Sequence, residues 1–547
     1  MAHFARRLGL LAVLERWLGA ADPRVKLPPA RAIAAVVANL CVARAPLYGL
    51  GEWVAAHEPA VLGLAPDEVG HLNDDRIGRA LDLLFASDRA SLLCELVLTA
   101  IERFGVDTTQ LHNDSTSISV HGNYAAADGR EQAGRPTVAI CHGHSKDHRP
   151  DLKQLVVILT VSADGAVPVA QRVCDGNTSD SATHIQTWDG LRALLGRSDF
   201  LYVADCKLAS GAQMDHIDVC GGRFVSVLPR SRKETARLCE WMTAHTPAWT
   251  EAARRPGPRQ TMSDDVWSVA PAPIHSAEGY RIVWVHSTRK AKLDQAARHD
   301  QLARALHALD ALHTRLASPK CRLRDTVAVK HAAAEALRRE SVTKLVSFEV
   351  SAHQHTWTRI ESRGRGKKPG PRQFSRERFS LTWTVNDAEL AHEAAAYGCF
   401  ALITNDRQLT DAQLLAAYRY QPNLEKRHHQ LKSVLEAAPI QLKSPARIEA
   451  LLTCQFIALL LRALIERELR NAMNTTATHH LALYPERRAC SAPTATRILD
   501  AFTDLARHQL LQDQQLIQVF EPQLTPLHKH VLELLDMPQT AYTNATT

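Results

Sequence analysis

Apolar residues recur at helical spacing through the first hundred positions. Ile33, Val36, Val37 and Leu40 share one face after Pro28-Pro29, a pair suited to a first helical turn, and Ile77, Leu81 and Leu84 repeat the pattern. No strand pattern interrupts them, so residues 1–105 are predicted to be a small helical domain. Near residue 110 the character changes. Leu111–His121 mixes β-branched and polar residues, and Gln154–Val161 (QLVVILTV) is a continuous apolar, β-branched run. Asp164-Gly165 then separates it from the run Ala166–Val173, which is a strong hairpin signal. A helix is expected over Ser181–Leu195, a buried strand over Phe200–Ala204 ending at Asp205, and another strand over Arg223–Leu228. The order predicts a mixed α/β sheet over residues 106–229, with polar residues at the strand ends.

After Pro229 the pattern breaks, and residues 230–400 are predicted to be an inserted α+β domain. Leu302, Ala305, Leu309, Leu312 and Leu316 follow 3-4-3-4 spacing, which suits a helical hairpin better than a seam of only two heptads. Short strands are expected at 280–285, 344–350 and 379–385. Between the last two, Arg359–Arg378 carries eight basic residues against Glu361 and Glu377, with Gly364, Gly366, Pro369, Gly370 and Pro371 in its middle. It is read as a flexible basic loop. The helical period returns over Thr410–Ala437, broken at Pro422, so residues 401–440 are expected to close the sheet domain. Ser444-Pro445 opens a helical C-terminal region, 441–547. Pro522, Pro526 and Pro538 suggest a poorly ordered end.

The chain has 547 residues and 65 Lys+Arg against 58 Asp+Glu, a formal charge of +7. With 45% hydrophobic residues it is neither disordered, fibrous nor a disulfide scaffold. Such a mild charge confines any nucleic-acid surface to a local patch, and Arg359–Arg378 is the obvious one. Eleven cysteines without a CxxC pair fit a reduced, intracellular chain. Cys141, His142, His144 and His148 match no standard zinc spacing, and Lys146 and Arg149 among them would repel a cation, so that stretch is read as a basic loop beside the sheet. Leu451–Ile465 is interrupted by Gln455 and Arg462 and falls short of a membrane span.

Three acids stand out by context: Asp114 within the first strand, Asp205 closing FLYVAD, and Glu425 in YRYQPNLEKRHHQLK. Strand ends and a helix packed on the sheet can bring three carboxylates together. Their mutual repulsion is relieved by a hard divalent cation with oxygen ligands. Tyr418, Gln421, Glu425 and Lys432 are separated by two, three and six residues. This resembles the Tyr-Arg-Glu-Lys signature of DDE transposases of bacterial insertion sequences, in the insertion-sequence-four group and its sixteen-thirty-four branch, with Gln421 where Arg is usual. Gly143–Leu155 (GHSKDHRPDLKQL), Gly176–Asp180 (GNTSD), the VADCKLAS around Asp205 and Gly398–Asp406 (GCFALITND) resemble the same branch.

The resemblance implies an RNase H-like core interrupted by an insertion before its last helix. It implies Asp114, Asp205 and Glu425 as catalytic, metal-binding residues for two Mg²⁺ ions, with Mn²⁺ as a substitute. Tyr418, Gln421 and Lys432 would contact DNA near the cleaved strand; for the missing arginine, either a neighbour such as Arg419 or Arg427 substitutes, or binding at that strand is weaker and this copy less active than its relatives. In the basic loop, Arg363, Arg365, Lys367 and Lys368 are further candidates for DNA contact. The expected partners are double-stranded DNA, as terminal inverted repeats and target, and a second copy of the chain on DNA. The helical N-terminal domain would serve DNA binding or dimerisation, and a cytoplasmic, nucleoid-associated location follows. The expected chemistry is metal-dependent hydrolysis followed by transesterification. The alternatives are a nuclease without strand transfer and an inactive DNA-binding relative.

Overall fold

The computed structural model describes residues 1–19, 24–125, 127–257, 263–318, 320–361, 370–435, 442–484, 486–513 and 515–542. The chain divides into two compact units, one of residues 1–226, 404–406 and 416–547, the other of residues 227–403 and 407–415.

The first unit holds the sheet predicted from the apolar runs. Its strands are β1 (Gln110–Val120), β2 (Lys153–Ser162), β3 (Pro168–Cys174), β4 (Leu201–Ala204) and β5 (Arg223–Val227), in the spatial order β3-β2-β1-β4-β5. β1, β2 and β3 are antiparallel neighbours, whereas β4 and β5 run parallel to β1. This order and sense make the sheet RNase H-like. The β2–β3 turn carries Gly165 and Ala166 at positive φ, as the Asp164-Gly165 signal demands. Past β5, Asn405 pins the strand end by accepting from the Phe224 N–H at 2.9 Å and donating to the Gly222 carbonyl at 2.8 Å.

The helix Pro445–Thr475 forms the centre of this unit, capped by Ser444 and packed against Pro29–Val42 and Asp74–Ala86. It is long and apolar enough to cross a bilayer, yet it is almost wholly buried within the unit. Its buried charges are all partnered. Glu466 pairs with Arg427 at 2.7 Å, and Arg467 donates to the Phe104 and Gly105 carbonyls at 2.8 and 2.9 Å. The segments read as 1–105, 106–229 and 441–547 thus contribute to one compact unit. The C-terminal region is not purely helical, because His508–Gln512 pairs with Gln515–Phe520 as a hairpin. Of the end expected to be poorly ordered, the described part carries the helix Pro526–Leu534, capped by Thr525, and residues 543–547 lie outside the described residues.

The second unit contains β6 (Thr250–Arg255), β7 (Asp265–Pro271) and β8 (Arg281–Ser287), then the helices Thr288–Ala317 and Thr326–Arg339. These are followed by β9 (Val346–Glu361), β10 (Gly370–Val385) and β11 (Cys399–Thr404). The leucine seam is internal: Ala305, Leu309, Leu312 and Leu316 pack with Val329, Ala333 and Leu337 of the second helix and with Val346, Phe379 and Leu381. Here one expectation fails. Most of the basic loop is not a loop, because β9 and β10 pair in unbroken antiparallel register from Val346↔Val385 to Glu361↔Gly370. The outer part of the ribbon is largely exposed on both faces and so has no apolar alternation to announce it.

Candidate functional site

β1 and β4 pair in parallel from Gln110↔Leu201 to Asn113↔Ala204. The next residues are Asp114 and Asp205, so the two acids stand at matching positions on neighbouring strands, with backbones about 4.8 Å apart. β4 ends there, while β1 continues to Val120 against β2 alone. The sheet therefore opens beside Asp114. Burial pushes the Asp114 carboxyl up to about 6, with Lys146 opposing the shift and the charge of Asp205 adding to it. Asp205 is tied locally: its Oδ1 accepts from the Lys207 N–H at 3.0 Å, and its carbonyl accepts from the Ser226 hydroxyl at 2.7 Å.

The signature segment is not one continuous helix. Asp411–Tyr418 ends, Gln421–His429 restarts with Pro422 in its first turn, and Gln430–Val434 winds as a single π-helical stretch. Such π turns are frequent at functional sites, and this one carries Lys432. Glu425 is exposed and makes no hydrogen bond or ion pair among the described residues. Burial pushes the Tyr418 phenol up to about 12, and the charges of Asp205, Glu425 and Asp114 all add to the effect. All three acids therefore lie within electrostatic reach of one phenol.

The remaining candidates separate by their partners. Lys432 Nζ lies 2.7 Å from Asp147 Oδ1. Gln421 is buried: its Oε1 lies 2.8 Å from His112 Nδ1, and its Nε2 donates to the Asn113 carbonyl at 3.3 Å. It fastens the restarted helix to β1, immediately before Asp114. Arg427 is also buried, bonded to Glu466 and to the Ala166 and Gly165 carbonyls at 2.9 and 2.8 Å. Both side chains are thus engaged inside the unit. Arg363, Arg365, Lys367 and Lys368 lie outside the described residues.

Three neighbours of the acids were not singled out as site residues. Lys146 Nζ lies 3.4 Å from Asp114 Oδ1, and donates to the Ser115 carbonyl at 2.6 Å and hydroxyl at 2.7 Å. His428 Nδ1 is 3.7 Å from Asp114 Oδ2, and burial holds this imidazole neutral, down at about 3. His184 Nε2 is 4.0 Å from Asp205 Oδ1, while its Nδ1 lies 3.1 Å from the Tyr202 hydroxyl. One signal was available for His428, which follows Glu425 by three residues and so shares its helix face. Lys146 lies in the quoted GHSKD stretch, but nothing local connects it to Asp114.

Whether the site suits a divalent ion turns on its donors. They are hard carboxylate oxygens, two of them at matched positions on neighbouring strands, which suits Mg²⁺ or Mn²⁺. Among the described residues no three carboxylate, imidazole or thiol groups converge closely enough to hold an ion as they stand. The donor chemistry fits, and the cluster is open.

Two family models match the chain. Residues 1–98 match a domain of unknown function, DUF4277, and residues 107–461 match the transposase DDE domain. No curated protein matches the chain closely. The second match spans well over half of the chain and takes in the sheet, the insertion and the signature helix. The chain belongs to the transposase DDE domain family.

Proposed function

We propose that this transposase belongs to the insertion-sequence-four group and its sixteen-thirty-four branch, and that it cuts DNA at the ends of its element and joins them to a target. Asp114, Asp205 and Glu425 would be its metal-binding acids. The observation that carries the reading is the β1–β4 register, which sets Asp114 and Asp205 side by side, together with the shared influence of all three acids on Tyr418.

Asp114, Asp205 and Glu425 would hold Mg²⁺, with Mn²⁺ as a substitute, and the ion would supply charge neutralisation and activation of the nucleophile. The chain does the rest. Tyr418 stays protonated at neutral pH and can donate to a phosphate oxygen. Lys432 offers a point charge to the backbone beside it. Gln421 and Arg427 act through packing, one setting the helix against β1 and the other tying it to the central helix. Water attacks the phosphodiester at the element's end and frees a 3′-OH; that hydroxyl then attacks a target phosphodiester and displaces the target's own 3′ oxygen. No covalent protein–DNA bond is needed. Joining two ends requires two sites, which favours a dimer on DNA.

The ribbon β9–β10 supports DNA as the substrate. The pairs His353–Arg378, His355–Arg376, Trp357–Phe374 and Arg359–Arg372 follow one another on one face, between Glu349 nearer the base and Glu361 at the outer end. Trp357 and Phe374 stack at 5.8 Å, and the Arg372 guanidinium lies over Phe374 at 5.4 Å. Like charges directly opposite one another cost stability unless a polyanion offsets them.

The test is Mg²⁺-dependent cleavage and joining of DNA carrying the element's terminal repeat, with Asp205→Asn and Glu425→Gln alongside. Cleavage with joining, lost at least about a thousandfold in both variants, is the expected result, since each removes more than about 4 kcal/mol of transition-state stabilisation. Hydrolysis without joining would indicate a nuclease, and binding without either an inactive relative. Activity that survives both substitutions would remove these acids from the mechanism.

A further inference from the structure

We propose that the loop Gly143–Asp151 is a latch over the site in the DNA-free chain, with Lys146 standing where a divalent cation would bind and Asp147 where a DNA phosphate would. The proposal rests on reading Asp114 as a metal ligand and Lys432 as a phosphate contact. Two consecutive residues engage the two halves of the site with opposite charges. The Lys146 ammonium is surrounded by Asp114 Oδ1 at 3.4 Å, Ser115 Oγ at 2.7 Å and the Ser115 carbonyl at 2.6 Å, a set of oxygen donors of the kind a hard cation takes. The Asp147 carboxylate holds the Lys432 ammonium at 2.7 Å. A divalent ion on Asp114 would repel that ammonium, and a phosphate on Lys432 would repel that carboxylate.

The loop is built to stay attached while its tip moves. Its base is clamped where a side chain on Gly143 would strike the Gly176 carbonyl, and where Gln154 Nε2 donates to that carbonyl at 2.7 Å and to the His144 carbonyl at 3.3 Å. This joins the GHSKD and GNTSD stretches. At the tip, the Lys146 N–H donates to Ser117 Oγ at 3.0 Å. Lys146 and Asp147 are adjacent, so one displacement of the tip breaks both ion pairs. Metal and DNA then assist each other: whichever binds first lifts the tip from the other's place, and linkage makes the effect reciprocal.

The experiment titrates Mn²⁺ into the full chain, following free Mn²⁺ by electron paramagnetic resonance, and measures the affinity of a short DNA duplex by fluorescence anisotropy with Ca²⁺ present or absent. Lys146→Met is expected to tighten Mn²⁺ binding about tenfold, the scale of one opposing charge at a half-buried carboxylate. Asp147→Asn is expected to tighten duplex binding, and the mutual enhancement of metal and duplex should shrink in both variants. Thermal melting confirms that each variant folds, and Asp114→Asn serves as the control. If Asp114→Asn loses Mn²⁺ while Lys146→Met binds it no better than wild type, the latch is wrong and the acid assignment stands. If Asp114→Asn binds Mn²⁺ as wild type does, the assignment of Asp114 fails instead.

Discussion

The segment Gln421–Val434 and the ribbon β9–β10 are both rich in basic residues, and the two use them in opposite ways. In the first, Arg427 is withdrawn from water, with only 3% of its side chain exposed, and is matched by Glu466, exposed to the same extent. In the second, Arg359 and Arg372 face each other across an exposed stretch of the ribbon, one pair outward on the same face from Trp357 and Phe374. A buried cation with a full set of acceptors is part of the fold. Cations on an exposed ribbon stay within reach of an anion from outside. Positive charge alone therefore does not identify a DNA contact; what lies within hydrogen-bond reach of it does.

The sharpest break of this comparison is Arg427→Ala. Removing Arg427 leaves the buried Glu466 carboxylate with only the more distant Arg470, at 3.8 Å, as an ion-pair partner among the described residues, and costs about 3 kcal/mol, which urea unfolding would show as a lower midpoint with little change in slope. A loss under about 1 kcal/mol would mean that Arg427 is free to serve DNA after all.

Asp114 is the intermediate case, a charge held half-buried for use. Its folded carboxyl keeps its proton up to about 6 against an ordinary 3.8, chiefly because burial disfavours the anion. The folded state therefore binds this proton more tightly than the unfolded chain. The stability it brings is complete below about pH 4 and is lost as pH rises through about 6. Asp114→Asn should accordingly stabilise the metal-free chain at neutral pH by about 1–2 kcal/mol, a gain that disappears below about pH 4. Melting curves across that range check both sign and window. A destabilised variant at neutral pH would mean that the Lys146 pairing outweighs burial.

These cases also show what could be read from the sequence. β2 and β4 were legible because strands buried on both faces are continuous apolar runs, and the β2–β3 hairpin because Asp164-Gly165 must turn. Asp205 was legible as the polar residue that closes such a run. The Leu302–Leu316 seam was legible as a hairpin because its spacing is local. Arg427–Glu466, Gln421–His112 and Lys146–Asp114 were not, since each depends on a partner distant in the chain and no local pattern encodes the pairing. The π-helical stretch at Lys432 was hidden for a related reason: its residues are ordinary helix formers. The base of the ribbon was legible as strands at 344–350 and 379–385, whereas its outer part was misread because its glycines, prolines and arginines have loop composition, while the pairing is held at the base by Phe379 and Leu381 against the helical hairpin.

The smallest expected effect on stability, and the most diagnostic, belongs to that ribbon. Arg376 and Arg378 donate to the carbonyls of Cys321 and Ala317 at 2.9 and 2.6 Å, so they help seat the ribbon on the helical hairpin. Arg359 and Arg372 lie further out, beyond the Trp357–Phe374 stack. Arg359→Ala should leave folding within about 0.5 kcal/mol of wild type, because no buried group loses a partner. If the outer arginines neutralise phosphates, each loss should reduce the slope of log affinity against log salt by about 0.9. A loss of DNA affinity without a loss of stability cannot then be put down to unfolding. An unchanged salt slope in the double variant Arg359→Ala, Arg372→Ala would make the like-charge face a cost with no benefit on DNA, and the contrast with Arg427 would then concern only which charges are buried.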